Sequence, residues 1–388
     1  MKFLKKHHIL GICSTIFSVI IFIWFSNIIG MLGTFHWHIL YHNIYRFLTA
    51  LTITLPAVLI LSLIFKKNFL TILLCFFSIF DIIVWAGFFI ALQTLASKRV
   101  DNSEMNIISQ TEEIPVSPNH SDDSILHLAF ASDPHWGAST ADAEARIDIL
   151  KAINKADYDA VYLLGDIIDM GMIASQYKLA VDDLRTYTAN TRLRLIPGNH
   201  DAILNGLPIF KATFMDKNDK YNFRMDKDNV HLLFINMLWD TAELDKKQTK
   251  WLIQQLEEIP QEDTVIVISH CYAVSSGYYD ENAGKNWGDL PDVMAKLCPI
   301  LEKYNVDLHM SGHDHFFEYL EKDGVNYLVL GAMGGKLDEN FVYFSPYSKW
   351  LDNKTFGYVD MRFYQDHLDF DCISNQGNII YSKTIKTK

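Results

Sequence analysis

Five short clusters in this 388-residue chain gather side chains that bind metals. They are Asp133-Pro134-His135, Gly165-Asp166-Ile167-Ile168-Asp169, Gly198-Asn199-His200-Asp201, Ser269-His270 and Gly312-His313-Asp314-His315. Taken singly, each reads as a turn or a capped helix. Taken together they offer Asp133, His135, Asp166, Asn199, His270, His313 and His315 as donors. Seven mixed nitrogen and oxygen ligands are too many for one tetrahedral ion, but they suit two adjacent divalent ions that share a carboxylate. Imidazole combined with carboxylate favours Mn, Fe or Zn over Mg or Ca.

The elements that must position these clusters are legible around them. Short, mostly apolar runs at 125–132, 160–164, 193–196, 230–236, 264–269, 306–310 and 326–330 read as strands, and the donor clusters lie at or just beyond strand ends. Helical patterns at 141–156, 176–189, 245–258 and 291–304 alternate with them. This alternation predicts a layered α/β domain, in which ligands collect at the carboxyl ends of the strands. From Gly357 onward the pattern is that of antiparallel strands.

The series DPH, GDIID, GNHD, SH and GHDH closely resembles the calcineurin-like metallophosphoesterase family, whose motifs run D-x-H, G-D-x-x-D, G-N-H-D/E, H and G-H-x-H. The resemblance covers about residues 125 to 335. It implies an α/β fold of the four-layer α/β/β/α sandwich type and a site with two divalent metals. Carried over, one metal takes Asp133, His135 and His315, the second takes Asn199, His270 and His313, and Asp166 bridges them. His200 then faces the scissile phosphate and protonates or hydrogen-bonds the leaving oxygen, with Asp201 holding its imidazole in the cationic form. The implied reaction is phosphoester hydrolysis by a metal-bridging hydroxide. Met170-Gly171 and Asp201 stand where protein phosphatases of the family carry Arg-Gly and Glu, which counts against a phosphoprotein substrate.

The first hundred residues hold eight basic residues and one acid, Asp81; with −12 overall, the remainder carries −19. A domain so acidic repels nucleic acid. Apolar stretches at about 9–32, 47–65 and 69–95 read as three transmembrane helices. The expected organisation is a multi-pass membrane domain (1–96), a polar linker (97–124) and a phosphoesterase domain (125–388). The flanking cations and three crossings place the large domain outside the cytoplasm. Asp81, in the third span, reads as an acid hydrogen-bonded within the bundle. A tether raises the effective concentration near the bilayer, so a lipid-linked or envelope phosphoester is the expected substrate. The alternatives are a soluble phosphodiester or nucleotide and, in a different class, a non-catalytic metal-binding membrane sensor. Between Cys271 and Asp289 a long loop rich in Tyr and Trp is placed either to cap the site or to pack down on the domain. The run Gly331–Gly335 reads as a plain turn, with backbone approach to the metals as the other reading.

Overall fold

The computed structural model describes residues 6–30, 38–65, 67–96, 100–102, 105–110, 123–203, 206–238, 244–280 and 285–387. The chain divides into two compact units, Met1–Lys98 and Arg99–Lys388.

The first unit contains helices α1 (Lys6–Gly30), α2 (His38–Phe65) and α3 (Asn68–Ala96). Its polarity is inverted relative to a water-soluble bundle. Ser14, Ser18, Thr52, Ser78 and Asp81 are buried between the helices, while Ile16, Ile20, Ile53, Ile72 and Ile83 are exposed. That arrangement suits an apolar solvent, in which small polar side chains hold helices together. Asp81 is an internal acid of the bundle: Ser18 Oγ donates to its Oδ1 at 2.9 Å, and Trp85 Nε1 donates to Ser18 Oγ at 3.1 Å. Three spans were expected. Among the described residues, two stretches, Lys6–Ile23 and Asn68–Gly87, are long and apolar enough to cross a membrane. The apolar part of α2 is Thr49–Phe65, which falls short of the roughly 20 residues a crossing needs, because the first turns of α2 carry His38, His42, Asn43 and Arg46. An extracytoplasmic large domain requires an odd number of crossings from an inside N-terminus, and two qualifying helices do not supply it.

The second unit is mixed α/β. Its strands are β1 (Leu126–Ala131), β2 (Ala160–Leu164), β3 (Leu193–Ile196), β4 (Phe223–Lys227), β5 (Val230–Phe234), β6 (Thr264–Ile268), β7 (Gly277–Asp280), β8 (Lys285–Asn286), β9 (Leu308–Ser311), β10 (Phe317–Lys322), β11 (Val325–Leu330), β12 (Phe341–Tyr343), β13 (Ser348–Asp352), β14 (Gly357–Phe363), β15 (His367–Ser374) and β16 (Ile379–Lys386). One sheet has the order β16-β15-β14-β1-β2-β3, a second β13-β10-β11-β9-β6-β5-β4, and a small third β12-β7-β8.

Strands β1, β2 and β3 pair in parallel, as do β5, β6, β9 and β11, so these site-bearing strands present their carboxyl ends on a common edge within each sheet. A single apolar cluster draws residues from both large sheets, with Tyr162 of β2 stacked on Phe234 of β5 at 5.2 Å. Ile149, Ile153, Tyr177 and Leu184, from the helices Ala143–Lys155 and Ala174–Tyr187, pack with β1–β3 residues. On the other sheet, Leu252, Leu256, Val293 and Leu297, from Lys246–Glu258 and Pro291–Lys303, pack with Val265, Val267 and Tyr327.

Part of the stretch read as a free polar linker is docked on this unit. Ile107 bridges to Leu193 at the edge of β3, and Ile108 is buried in the core shared by the sheets. Two consecutive isoleucines in an otherwise polar run outweigh its composition, because their burial satisfies both the sheet edge and the core.

Candidate metal site

The first two donor clusters are laced together as a continuation of the β1–β2 ladder. Backbone N–H groups of Asp133, His135 and Trp136 donate to the carbonyls of Gly165, Asp166 and Ile167. This lacing forces unusual backbone. Asp133 (φ 56°), His135 (φ 47°), Asp166 (φ 50°) and His313 (φ 74°) all adopt left-handed conformations. Asp228, Asn305 and Asp323 adopt it singly in turns, whereas here four such residues gather in one place, a feature typical of functional sites.

The seven donors converge in two groups. In the first, His135 Nε2 lies 3.1 Å from His315 Nε2, and Asp133 Oδ1 lies 3.3 Å from His315 Nε2. In the second, Asn199 Oδ1 lies 2.9 Å from both His270 Nε2 and His313 Nδ1. Asp166 stands between them: its Oδ2 is 3.5 Å from His135 Nε2 and its Oδ1 is 3.4 Å from His270 Nε2. Donors about 2.1 Å from a common ion lie roughly 3.0–3.4 Å apart, so these spacings fit ligation.

The polar atoms fit it too. Asp133 Oδ2 accepts from the N–H of His313 at 2.9 Å, whereas its buried Oδ1, on the side of His315, has no hydrogen-bond partner. His270 Nδ1 donates to the Leu164 carbonyl at 2.8 Å and His315 Nδ1 to the Lys336 carbonyl at 2.6 Å, which turns both Nε2 lone pairs into the site.

Electrostatics point the same way. Burial opposes charge on every one of these groups, yet the imidazoles beside Asp133 hold its carboxyl well below the usual range. Despite burial, Asp133 and Asp169 lift His135 to about 10, and Asp166 lifts His270 to about 9. The carboxylates demand positive charge here, which divalent cations would supply.

The structure revises the reading of the GNHD turn. Asp201 does not orient His200; its oxygens accept the backbone N–H groups of Ile167 (3.1 Å), Ile168 (2.9 Å) and Gly198 (2.8 Å). It fastens the GNHD turn to the GDIID loop. His200 Nδ1 instead donates to the backbone carbonyl of Asp169 at 2.7 Å. Nor is His200 held cationic: burial and the neighbouring His135 outweigh the nearby carboxylates and lower it to about 4. Asp169 was visible in the sequence as the end of GDIID, but nothing there distinguished its carbonyl from the Asp201 carboxylate as the partner of the ring.

Glycines form the remaining wall. A Cβ on Gly335 would stand 2.7 Å from both His135 Cδ2 and His315 Cε1, and one on Gly198 would stand 2.2 Å from Asp166 Oδ1. Gly331–Gly335 is therefore more than a turn. The loop after His270 mostly packs down: Tyr272 and Trp287 are buried, while Tyr279 is exposed.

Residues 126–317 match the family model described as calcineurin-like phosphoesterase. Residues 126–317 form a calcineurin-like phosphoesterase domain. The chain with this phosphoesterase domain is 34% identical over 91 residues to the rabbit (Oryctolagus cuniculus) tartrate-resistant acid phosphatase type 5, a match spanning 23% of this chain and 25% of that protein. Its fold is similar to purple acid phosphatase PPD1 from yellow lupin (Lupinus luteus) seeds, with a TM-score of 0.58, 16% identity and coverage of 67% of this chain and 53% of the lupin protein. It is also similar to GAP50, the anchor in the inner membrane complex of Plasmodium, with a TM-score of 0.52, 17% identity and coverage of 68% and 89%.

Proposed function

We propose that the second unit, folded as an α/β/β/α sandwich, is a phosphoester hydrolase working with two divalent ions and held at a membrane by α1 and α3. The observation that carries this reading is the division of the Asp166 oxygens between two ligand groups. Asp133, His135, His315 and Asp166 would hold one ion, and Asp166, Asn199, His270 and His313 the other. Bound there, the pair would offset the charge of a phosphoester and acidify water near neutral pH. The nitrogen-rich donor set suits Mn, Fe or Zn.

The chain's own residues supply position and a proton route. With Nδ1 tied to the Asp169 carbonyl, His200 presents Nε2 toward Asp166, 3.9 Å from Oδ2. With its one hydrogen at Nδ1, the neutral ring holds a lone pair at Nε2; there it would take up a proton as the phosphoester anion enters and pass it to the leaving oxygen as the ester P–O bond breaks and water oxygen becomes bonded to phosphorus. The reading extends to lipid-linked phosphoesters, because attachment to a membrane concentrates the site near them.

The test uses the full chain, metal-depleted and then reloaded with Mn or Zn, on a chromogenic phosphodiester and the matching monoester. Metal-dependent hydrolysis of either supports the reading. About two ions bound per chain with no turnover of either ester overturns it in favour of a metal-binding sensor.

A further inference from the structure

Two loops that touch the candidate ligands feed the small sheet. After His270, residues Cys271–Ser276 are buried and lead into β7; after β11, the Gly335–Asp338 segment passes against His135 and His315 and leads into β12. Strands β7 and β12 pair, with Phe341 opposite Tyr278 and the Tyr279 N–H donating to the Asn340 carbonyl at 3.3 Å. Hydrogen bonds fix the sheet in place: buried Ser276 N–H donates to Glu318 at 2.7 Å, and the half-buried Tyr343 hydroxyl donates to Asp289 at 2.6 Å.

An aromatic stack runs outward from this anchorage. Phe316, the residue after ligand His315, is fully buried and meets the Phe341 ring at 4.6 Å; Phe341 stacks on Phe344 at 5.7 Å. Phe344 is nevertheless 65% exposed, alongside Val342 at 52% and Tyr279 at 45%. These apolar side chains are displayed by a rigid support beside the metal ligands rather than left on a loose loop. A fixed apolar strip on a water-facing surface marks a contact site.

We infer that Tyr279, Val342 and Phe344 seat the apolar chain of an amphiphilic phosphoester whose phosphate lies at the metal site. The inference rests on the hydrolase reading above. The occupant follows from continuity: the strip is built on the same two loops that carry His270 and contact His315. Membrane attachment through α1 and α3, as proposed above, would keep the site among amphiphiles.

The experiment uses the full chain in phosphatidylcholine nanodiscs, loaded with Mn, on para-nitrophenyl methyl phosphate and para-nitrophenyl octyl phosphate. Wild type should favour the octyl ester by about tenfold or more in kcat/KM, since each buried methylene adds to binding. The double variant Val342→Ser with Phe344→Ser should cut the octyl-to-methyl ratio at least about fivefold, both esters being compared within each protein. A ratio that the two substitutions leave unaltered overturns this inference alone, and means that the strip faces the bilayer or a second copy. No turnover of either ester by wild type overturns the hydrolase reading and this inference with it.

Discussion

The ring of His200 is fixed by the backbone of Asp169, whose carbonyl accepts from Nδ1 at 2.7 Å. The Asp201 carboxylate, next to His200 in sequence, is engaged instead by three backbone N–H groups. Position and proton transfer therefore fall to different residues from those that hold the turn, and substitutions separate them.

Asp166→Asn should remove bound metal from both ligand groups and lower turnover by about a thousandfold or more, because one of its oxygens faces each group. His200→Ala should keep both metals and lower turnover by about a hundredfold or more, the range of a lost acid. Metal content by elemental analysis and turnover, measured on the same samples, check the pair. Equal metal loss in the two variants contradicts the assignment.

Asp201→Ala leaves three backbone donors in a buried turn without their acceptor, and each such loss costs about 1–3 kcal/mol. Thermal unfolding should shift down by several degrees, whereas His200→Ala should leave it near the wild-type value. A clear drop in activity for Asp201→Ala with no loss of stability would return Asp201 to a direct role on the ring.

Gly335→Ala introduces a Cβ that would stand 2.7 Å from His135 and His315, both in the first ligand group. One of two binding steps in a metal titration should weaken by about 10–100-fold while the other is retained, as for other residues that support ligand geometry. Weakening of both steps alike would mean that the glycine supports the whole loop array rather than one ion.

His231 lies away from the site, with Nδ1 2.7 Å from Asp226 and Nε2 2.8 Å from Asp263. Burial lowers its affinity for a proton and Arg224 opposes it from 3.4 Å, but the two carboxylates prevail and raise its pKa. A raised histidine pKa stabilises the fold fully below the unfolded value near 6.5, and the contribution disappears as pH rises through the higher folded value. His231→Gln should therefore cost about 1–2 kcal/mol at pH 5.5, discounted because Asp226 is half exposed, and less at pH 9. Chemical denaturation at the two pH values measures it. A penalty that grows with pH would mean that His231 is neutral in the fold.

The sequence by itself determined that the candidate donors stand at strand ends. Asp, Asn and His recur where apolar strand runs stop, and parallel strands can only gather such ends on one edge. The strands β1, β2, β3, β5, β6, β9 and β11 and four of the helices were readable too, because burial on one or both faces imposes a period on the chain; β4, β10 and β13 were not. Other features depended on contacts between residues far apart in sequence. Gly335 meets His135 across 200 positions, and Leu164 orients His270 across 106, so no local pattern records either. Ile107 and Ile108 sit in a polar run that composition marks as free, yet a sheet edge and a core were waiting for them. Asp169 and Asp201 flank His200 as chemically identical side chains. The left-handed turn at Asp166 and the lacing of the loops decided which of them the imidazole would meet, and that it would meet a carbonyl rather than a carboxylate. Residue type and spacing set what the site can bind; the folded backbone set which atoms face it.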